Sequence, residues 1–459
     1  MPSPRRKSAP SKPENARAAA LLTLLDLETN RYPAEALDEY GSEYGAGLNR
    51  RDRALARALV FGVLRHRGRL DWILGHFLKK PEKPLDAAVR NILRLGLFQL
   101  TLLDRIPASA AVNESVNLAR EYGPPGSQNL VNGVLRAVTR AENLPDPEKA
   151  DLPAIKKMAL IESHPEWLVK RWADQLGFEE TAELLRANNQ IPPLSLRVNS
   201  ARVSRERLAA LLKNRIDLVR PTVYAPEGLL IHGPTGLVMD LPGYDEGYFS
   251  VQDEASQLIS FLARPGPGER VLDACAGRGG KTLHLLSMNN GDIWALDIDL
   301  NRLSMITPEA KRLGLGPVKA VRGDLVAPPF RPEFFQVVLV DAPCSNLGVI
   351  RRRPDLKWLK SASEPHRMAA IQIRLLKAAA SLVAPRGRLV YAVCTNLPEE
   401  TRDCVEAFRQ ENKRFRQVSA KTFLPPSAHP LVETDGSLQT WPHKHQTDAF
   451  FAAVFKKIN

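Results

Sequence analysis

From residue 244 onward, short apolar runs alternate with stretches of helical spacing, and this alternation restricts the fold more than anything else in the chain. The runs are VLDAC, IWALDID, VKAVRGD, FFQVVLVDAP and RLVYAVC. Strands separated by helices argue a doubly wound parallel sheet with helices on both faces. In such a sheet ligands and chemistry gather at the carboxyl ends of the strands. Those ends carry the turn DACAGRGGKT, then Asp297, Asp324, the loop with Asp341 and Cys344, and finally Cys394.

The glycine turn follows a strand and opens a helix, as a nucleotide cradle does. A Walker loop needs a glycine five residues before the Gly280-Lys281-Thr282 end, and Cys275 stands there. A nucleoside triphosphate site is therefore a poor match. Asp297 closes the next strand at the distance usual for a carboxylate that accepts from two ribose hydroxyls. Asp324, after the third strand, is placed to read an adenine amino group. Together these fit a nucleoside cofactor without phosphates, for which S-adenosylmethionine is the candidate. The plain alternative makes both aspartates strand-end caps.

Cys344 and Cys394 each follow a buried-strand run and lie fifty residues apart. Carbon 5 of cytosine does not attack a methyl sulfonium unaided. A thiolate adding at C6 makes the ring an enamine, and C5 then becomes nucleophilic. An acid must hydrogen-bond N3 and the amino group to stabilise the developing charge. After transfer a base must remove the C5 proton so that the thiol can leave. Asp341 shares a loop with Cys344, and Cys394 ends the neighbouring strand, so the three can converge. Cys275 and Cys404 read as inert buried thiols.

The four cysteines make no CxxC pair and no Cys/His cluster with zinc spacing, so neither a metal nor a disulfide framework is expected. Reduced thiols fit a cytoplasmic protein. No run of 18 apolar residues suggests a membrane span. The net charge of +13 favours a polyanionic partner such as nucleic acid. Residues 1–14 read as a disordered basic tail. Residues 15–142 are helical in spacing, with Asp71 and Asp86 as N-cap candidates. Residues 51–100 carry eleven Lys or Arg against four Asp or Glu; these charges suit either a solvated helix face or RNA phosphates. The linker LPDPEKADLP should leave this part able to fold alone. Residues 154–243 suggest a small α+β connecting domain with strands at PPLSLRVNS, TVYAP and GLLIHG, and 244–459 the catalytic domain.

DAPCSNLGVIRRRPDLKW and YAVCTNLPEE resemble the fourth and sixth motifs of the RNA cytosine-5 methyltransferases of the Sun/NOL/NOP type, the bacterial RsmB (Sun, Fmu) enzymes in particular. VQDEASQL and TDAFFAAVFKK resemble that family's opening segment and closing strand. The resemblance implies an all-α NusB-like N-terminal domain, a small α+β connecting domain and a C-terminal α/β Rossmann-like class I methyltransferase domain. It implies that Cys394 is the nucleophile, that Cys344 aids release, and that Asp341 contacts base and cofactor. It further implies that Cys275, Ala276, Gly277, Arg278, Gly279, Gly280, Lys281, Asp297 and Asp324 hold S-adenosylmethionine. The expected partner is RNA, small-subunit ribosomal RNA before transfer RNA, and the expected state a monomer. Gly277 and Arg278 replace the family's usual Ala and Pro, and Asn346 replaces a small residue. A non-catalytic antitermination factor would not need paired cysteines. A DNA methyltransferase would use the Pro-Cys thiol and usually a large insert.

Overall fold

The computed structural model describes residues 15–29, 44, 47–233, 236–288 and 292–458; the tail expected at 1–14 lies outside them. The chain divides into two compact units, residues 1–189 with 353–359, and 190–352 with 360–459.

The first unit is helical: α1 Ala16–Glu28, α2 Arg50–Phe77, α3 Ala87–Leu102, α4 Ala108–Tyr122, α5 Ser127–Arg140, α6 Ala154–Ile161, α7 Glu166–Leu176 and α8 Phe178–Asn189. Apolar residues three and four apart bury one face of each helix, with Leu59, Ile92, Leu95 and Leu135 fully enclosed. Asp86 caps α3, its carboxylate accepting from Ala88 N at 2.9 Å. Asp71 is no cap. It lies inside the 28-residue α2, where its two oxygens take a bidentate pair from Arg94 at 2.6 Å each. An acid inside a long helix mimics a start signal when its distant partner is not visible.

Residues 353–359, from the motif that follows Cys344, belong to this helical unit. Lys357, fully buried, donates to the carbonyls of Arg65 and Ser163 at 2.8 Å each and to Asn189 Oδ1 at 3.1 Å. Trp358 donates its indole N–H to Leu64 O at 2.7 Å and packs on the helical core. Trp358→Ala should cost roughly 2–4 kcal/mol, toward the lower end for a large-to-small change because the ring is only half-buried. Hydrogen exchange should show lost amide protection around Leu64 in α2. Unchanged protection there would show that α2 does not depend on this segment.

The second unit holds two sheets. The smaller is antiparallel, ordered β2-β3-β1-β4, from β1 Leu194–Val198, β2 Leu218–Pro221, β3 Gly228–His232 and β4 Phe249–Val251, with α9 Arg205–Lys213 packed against it. The strand expected at TVYAP lies instead just upstream, and 222–226 form a turn in which Thr222 Oγ1 donates to Ala225 O at 2.6 Å.

The larger sheet contains β5 Arg270–Asp273, β6 Asp292–Asp297, β7 Lys319–Arg322, β8 Phe335–Asp341, β9 Val383–Val393, β10 Phe415–Val418, β11 Leu438–Gln439 and β12 Phe451–Lys457. Its order is β10-β12-β9-β8-β5-β6-β7, with β11 beside β12. The five strands from β9 to β7 are parallel. β12 pairs antiparallel with β9, and β10 with β12, so the sheet is mixed and not wholly parallel. A run such as FFAAVF shows burial but not direction, because its pattern reads alike both ways. The parallel register brings the C-terminal ends of β5, β6, β8 and β9 to one edge. Asp341 faces Ala392, two residues before Cys394.

Candidate active site at the carboxyl edge of the sheet

Strand β5 delivers the glycine loop, and the helix Gly280–Met288 follows it. Asp273, at the strand end, is buried and accepts from Thr282 Oγ1 at 2.7 Å; burial first, then the neighbouring Asp341, raise its carboxyl to about 6. Ala276 N donates to Leu296 O at 3.0 Å, and Gly277 N to Asp297 Oδ2 at 2.8 Å. Asp297 Oδ1 accepts from Asp299 N at 2.9 Å. Asp297 therefore ties the loop to β6. Asp324 is exposed beyond β7 and caps its own turn through Val326 N at 2.9 Å. Gly280 O accepts from the buried Arg197 of β1 at 2.9 Å, an anchor with no local sequence signal. Arg278 is exposed.

Cys275 sits at the focus of this loop. Burial, then the charges of Asp273, Asp341, Asp297 and Asp324, push its thiol well up. It stays a neutral wall residue in an acidic surround. Lys281, nearly buried, meets Asp341 Oδ2 at 2.5 Å. Burial opposes its charge, but Asp341 outweighs that and raises its pKa. A loop with this acidic excess suits a cationic sulfonium with an amino group. The residues present thus fit S-adenosylmethionine.

Gly279 needs its left-handed φ of +82°, and a Cβ there would come 2.8 Å from Ile306 Cγ1. Gly277 also has a positive φ, +54°, but faces open space. A left-handed alanine costs roughly 1–2 kcal/mol, and only position 279 adds a clash. Gly279→Ala should weaken S-adenosylmethionine binding by about tenfold or more, equal to about 1.4 kcal/mol, and Gly277→Ala by less. Calorimetric titration of both variants checks this; equal losses would refute the crowding argument.

The two thiols meet. Cys344 Sγ and Cys394 Sγ are 3.2 Å apart. Asn346 Oδ1 accepts from Cys394 at 2.9 Å and from Cys344 at 3.3 Å. The Cys394 thiol first, then burial, push the Cys344 thiol well up, so Cys344 is held protonated. Asp341 has a side chain 29 % exposed on the same edge. Cys404 lies apart, against Ala369 O and Gln372, and burial pushes it up to about 12.

Residues inside the quoted motifs, to which the sequence reading assigned no role, hold this pair in place. Gly348 N donates to Cys394 O at 2.9 Å, and a Cβ at Gly348 would lie 2.7 Å from that oxygen and 2.2 Å from Ala449 O. The buried Glu400 accepts from Ser345 N at 2.8 Å and from Gln372 at 3.0 Å. Arg351 and Arg352 bind Asp448 at 2.6 and 2.8 Å, and both reach Asp253. Two guanidinium groups against two carboxylates balance the buried charge, as burial requires. This quartet joins VQDEAS, the run after Cys344 and TDAFF into one support.

Three family profiles match the chain: the NusB family over residues 14–140, the Methyltr_RsmF/B-like ferredoxin-like domain over 164–237, and 16S rRNA methyltransferase RsmB/F over 260–456. The probable ribosomal RNA small subunit methyltransferase B of Bacillus subtilis (strain 168) is 36% identical over 97% of this chain and 99% of its own length. The protein of the same description from Synechocystis sp. (strain ATCC 27184 / PCC 6803 / Kazusa) is also 36% identical, over 96% of this chain and 99% of its own. The crystal structure of PH0851 superposes with a TM-score of 0.80 at 25% identity, covering 99% of this chain and 100% of that one. With full-length relatives at this identity and all three profiles in order, the chain belongs to the RsmB/F family of S-adenosylmethionine-dependent methyltransferases.

Proposed function

We propose that this protein methylates C5 of a cytosine in 16S ribosomal RNA through a covalent adduct between Cys394 and C6. The observation that carries the base and the mechanism is the pair of thiols 3.2 Å apart, of which Cys344 is held protonated. Cys394 is assigned the attack because its run YAVCTNLPEE resembles the family motif that carries the nucleophile. The choice of RNA rests on the small-subunit ribosomal RNA named for its relatives.

In this reading the loop from Cys275 to Lys281, with Asp297 and Asp324, binds the cofactor. S-adenosylmethionine supplies an electrophilic methyl group when bound. Cys394 sulfur bonds to C6, and the C5=C6 electrons become available at C5. Asp341 accepts from the amino group and shares a proton with N3, which offsets the charge that develops in the ring. Methyl joins C5 as its bond to the sulfonium sulfur breaks and a neutral thioether leaves, a base takes the C5 proton, and C6–S breaks as the double bond returns. C6 is out of reach in a stacked helix, so the target cytosine is taken from a loop or flipped out. We place the working parts at 15–142 for a NusB-like RNA-binding domain, 154–243 for the connecting domain and 244–459 for the methyltransferase. The protein acts as a cytoplasmic monomer.

Bisulfite sequencing of 16S ribosomal and transfer RNA from a strain lacking the gene tests the assignment. One 16S cytosine should lose its methyl group, and a plasmid copy of the gene should restore it. Loss at a transfer RNA cytosine would overturn the target, and no change at any cytosine would overturn the base.

A further inference from the structure

We propose that Asn346 is a positioning residue for the attacking thiol: its side-chain amide accepts from both thiols at rest and turns to donate an N–H once Cys394 is ionised. The proposal rests on Cys394 being the nucleophile and adds what sets its readiness to ionise. Oδ1 of Asn346 is the acceptor shared by Cys394 at 2.9 Å and Cys344 at 3.3 Å. The residue has a left-handed φ of 60°, which asparagine tolerates far better than most side chains. It opens the short turn Leu347–Val349, and the next residue but one, Gly348, is bonded to the carbonyl of Cys394 itself at 2.9 Å. The amide is thereby fixed to the backbone it serves.

The terminal torsion of asparagine is broad and roughly two-fold, so a half-turn exchanges Oδ1 for Nδ2 at the same sulfur. An S–H···O contact is a weak bond that favours the thiol. An N–H···S⁻ contact is charge-assisted and stronger, and it favours the thiolate. The second outweighs the first, so the amide promotes ionisation overall. The charged groups nearby do not replace it. Lys281, whose charge also reaches Cys394, is engaged first by Asp341 at 2.5 Å and is untouched by changes at Asn346, and Glu400, buried beneath Ser345, carries the wrong sign. Cys344 is neutral and offers its own S–H at 3.2 Å, a weaker donor than an amide.

The test reads the thiol without RNA or methyl donor. The full chain is alkylated with iodoacetamide across a pH series, and modification of the Cys394 peptide is followed by mass spectrometry. Asn346→Ala should move the alkylation midpoint up by about one pH unit, a roughly tenfold slower reaction near neutrality, with the high-pH plateau unchanged. Asn346→Gly, which keeps the left-handed turn and removes the amide, should give the same shift and serves if the alanine variant folds poorly. Asn346→Asp should move the midpoint further, because a carboxylate repels the thiolate and donates nothing. A midpoint in Asn346→Gly equal to or below the parent's would overturn the proposal, leaving the amide as a thiol acceptor only. A changed plateau with an unmoved midpoint would report altered access and overturn it as well. Failure of the nucleophile assignment would appear elsewhere, as methylation by a Cys394→Ala enzyme.

Discussion

Replacing Cys394 with alanine should abolish methylation while leaving cofactor binding intact. The expected loss is ~10⁴-fold or more, the scale on which removing an attacking nucleophile acts. The thiol's hydrogen bonds go to Asn346 and Cys344, whereas the cofactor loop is held by Leu296 O, Asp297 and Arg197. Alanine at 394 removes the sulfur without touching those supports. Methyl transfer to 16S RNA should therefore fall to background, and calorimetric titration with S-adenosylmethionine should give the parent affinity. An alanine variant that transfers methyl at even a tenth of the parent rate would exclude Cys394 as the nucleophile. Loss of both activity and cofactor affinity would show instead that the sulfur supports the fold of the cleft.

The convergence of the thiols was legible because a parallel sheet has one carboxyl edge. Runs ending at Asp341 and Cys394 could be placed on neighbouring strands from their apolar pattern alone. The parallel core was legible for the same reason, but the antiparallel β12 was not, since burial carries no sign of direction. Asp297 illustrates a different limit. Its place at the end of β6 was readable, yet its bond to Gly277 N at 2.8 Å depends on how the loop folds back twenty residues earlier. Asp71 was misread as a cap because Arg94, its partner, stands on another helix. The run PDLKW read as part of a catalytic motif, and only three dimensions show Lys357 and Trp358 donating to carbonyls of α2. Glu400 and Gly348 lie inside the quoted runs, but their role lies in contacts to Ser345 N and Cys394 O that those runs do not display.

Cys344→Ala should fail differently from Cys394→Ala, by accumulating protein joined to RNA. In the resting site the Cys394 sulfur and burial together hold Cys344 protonated. When Cys394 becomes a thioether at C6, its S–H is gone and it can carry no charge, so the neighbour that most opposed ionisation of Cys344 no longer does so. Bond formation at one sulfur thus readies the other as a base, 3.2 Å away. In the proposed route Cys344 then takes the C5 proton, the C6–S bond breaks and the double bond of the ring reforms. With alanine at 344, addition and methyl transfer proceed and elimination stalls. The stalled species is a band that survives denaturing gel electrophoresis and disappears with RNase. Turnover should drop by roughly 10²–10⁴-fold, the range for loss of a positioned base, while a single round of methyl transfer persists. The mirror pattern, an adduct with Cys394→Ala and none with Cys344→Ala, would reverse the roles. An adduct with neither variant, alongside full turnover by Cys344→Ala, would mean that Asp341 or water completes release and that Cys344 only packs against its neighbour.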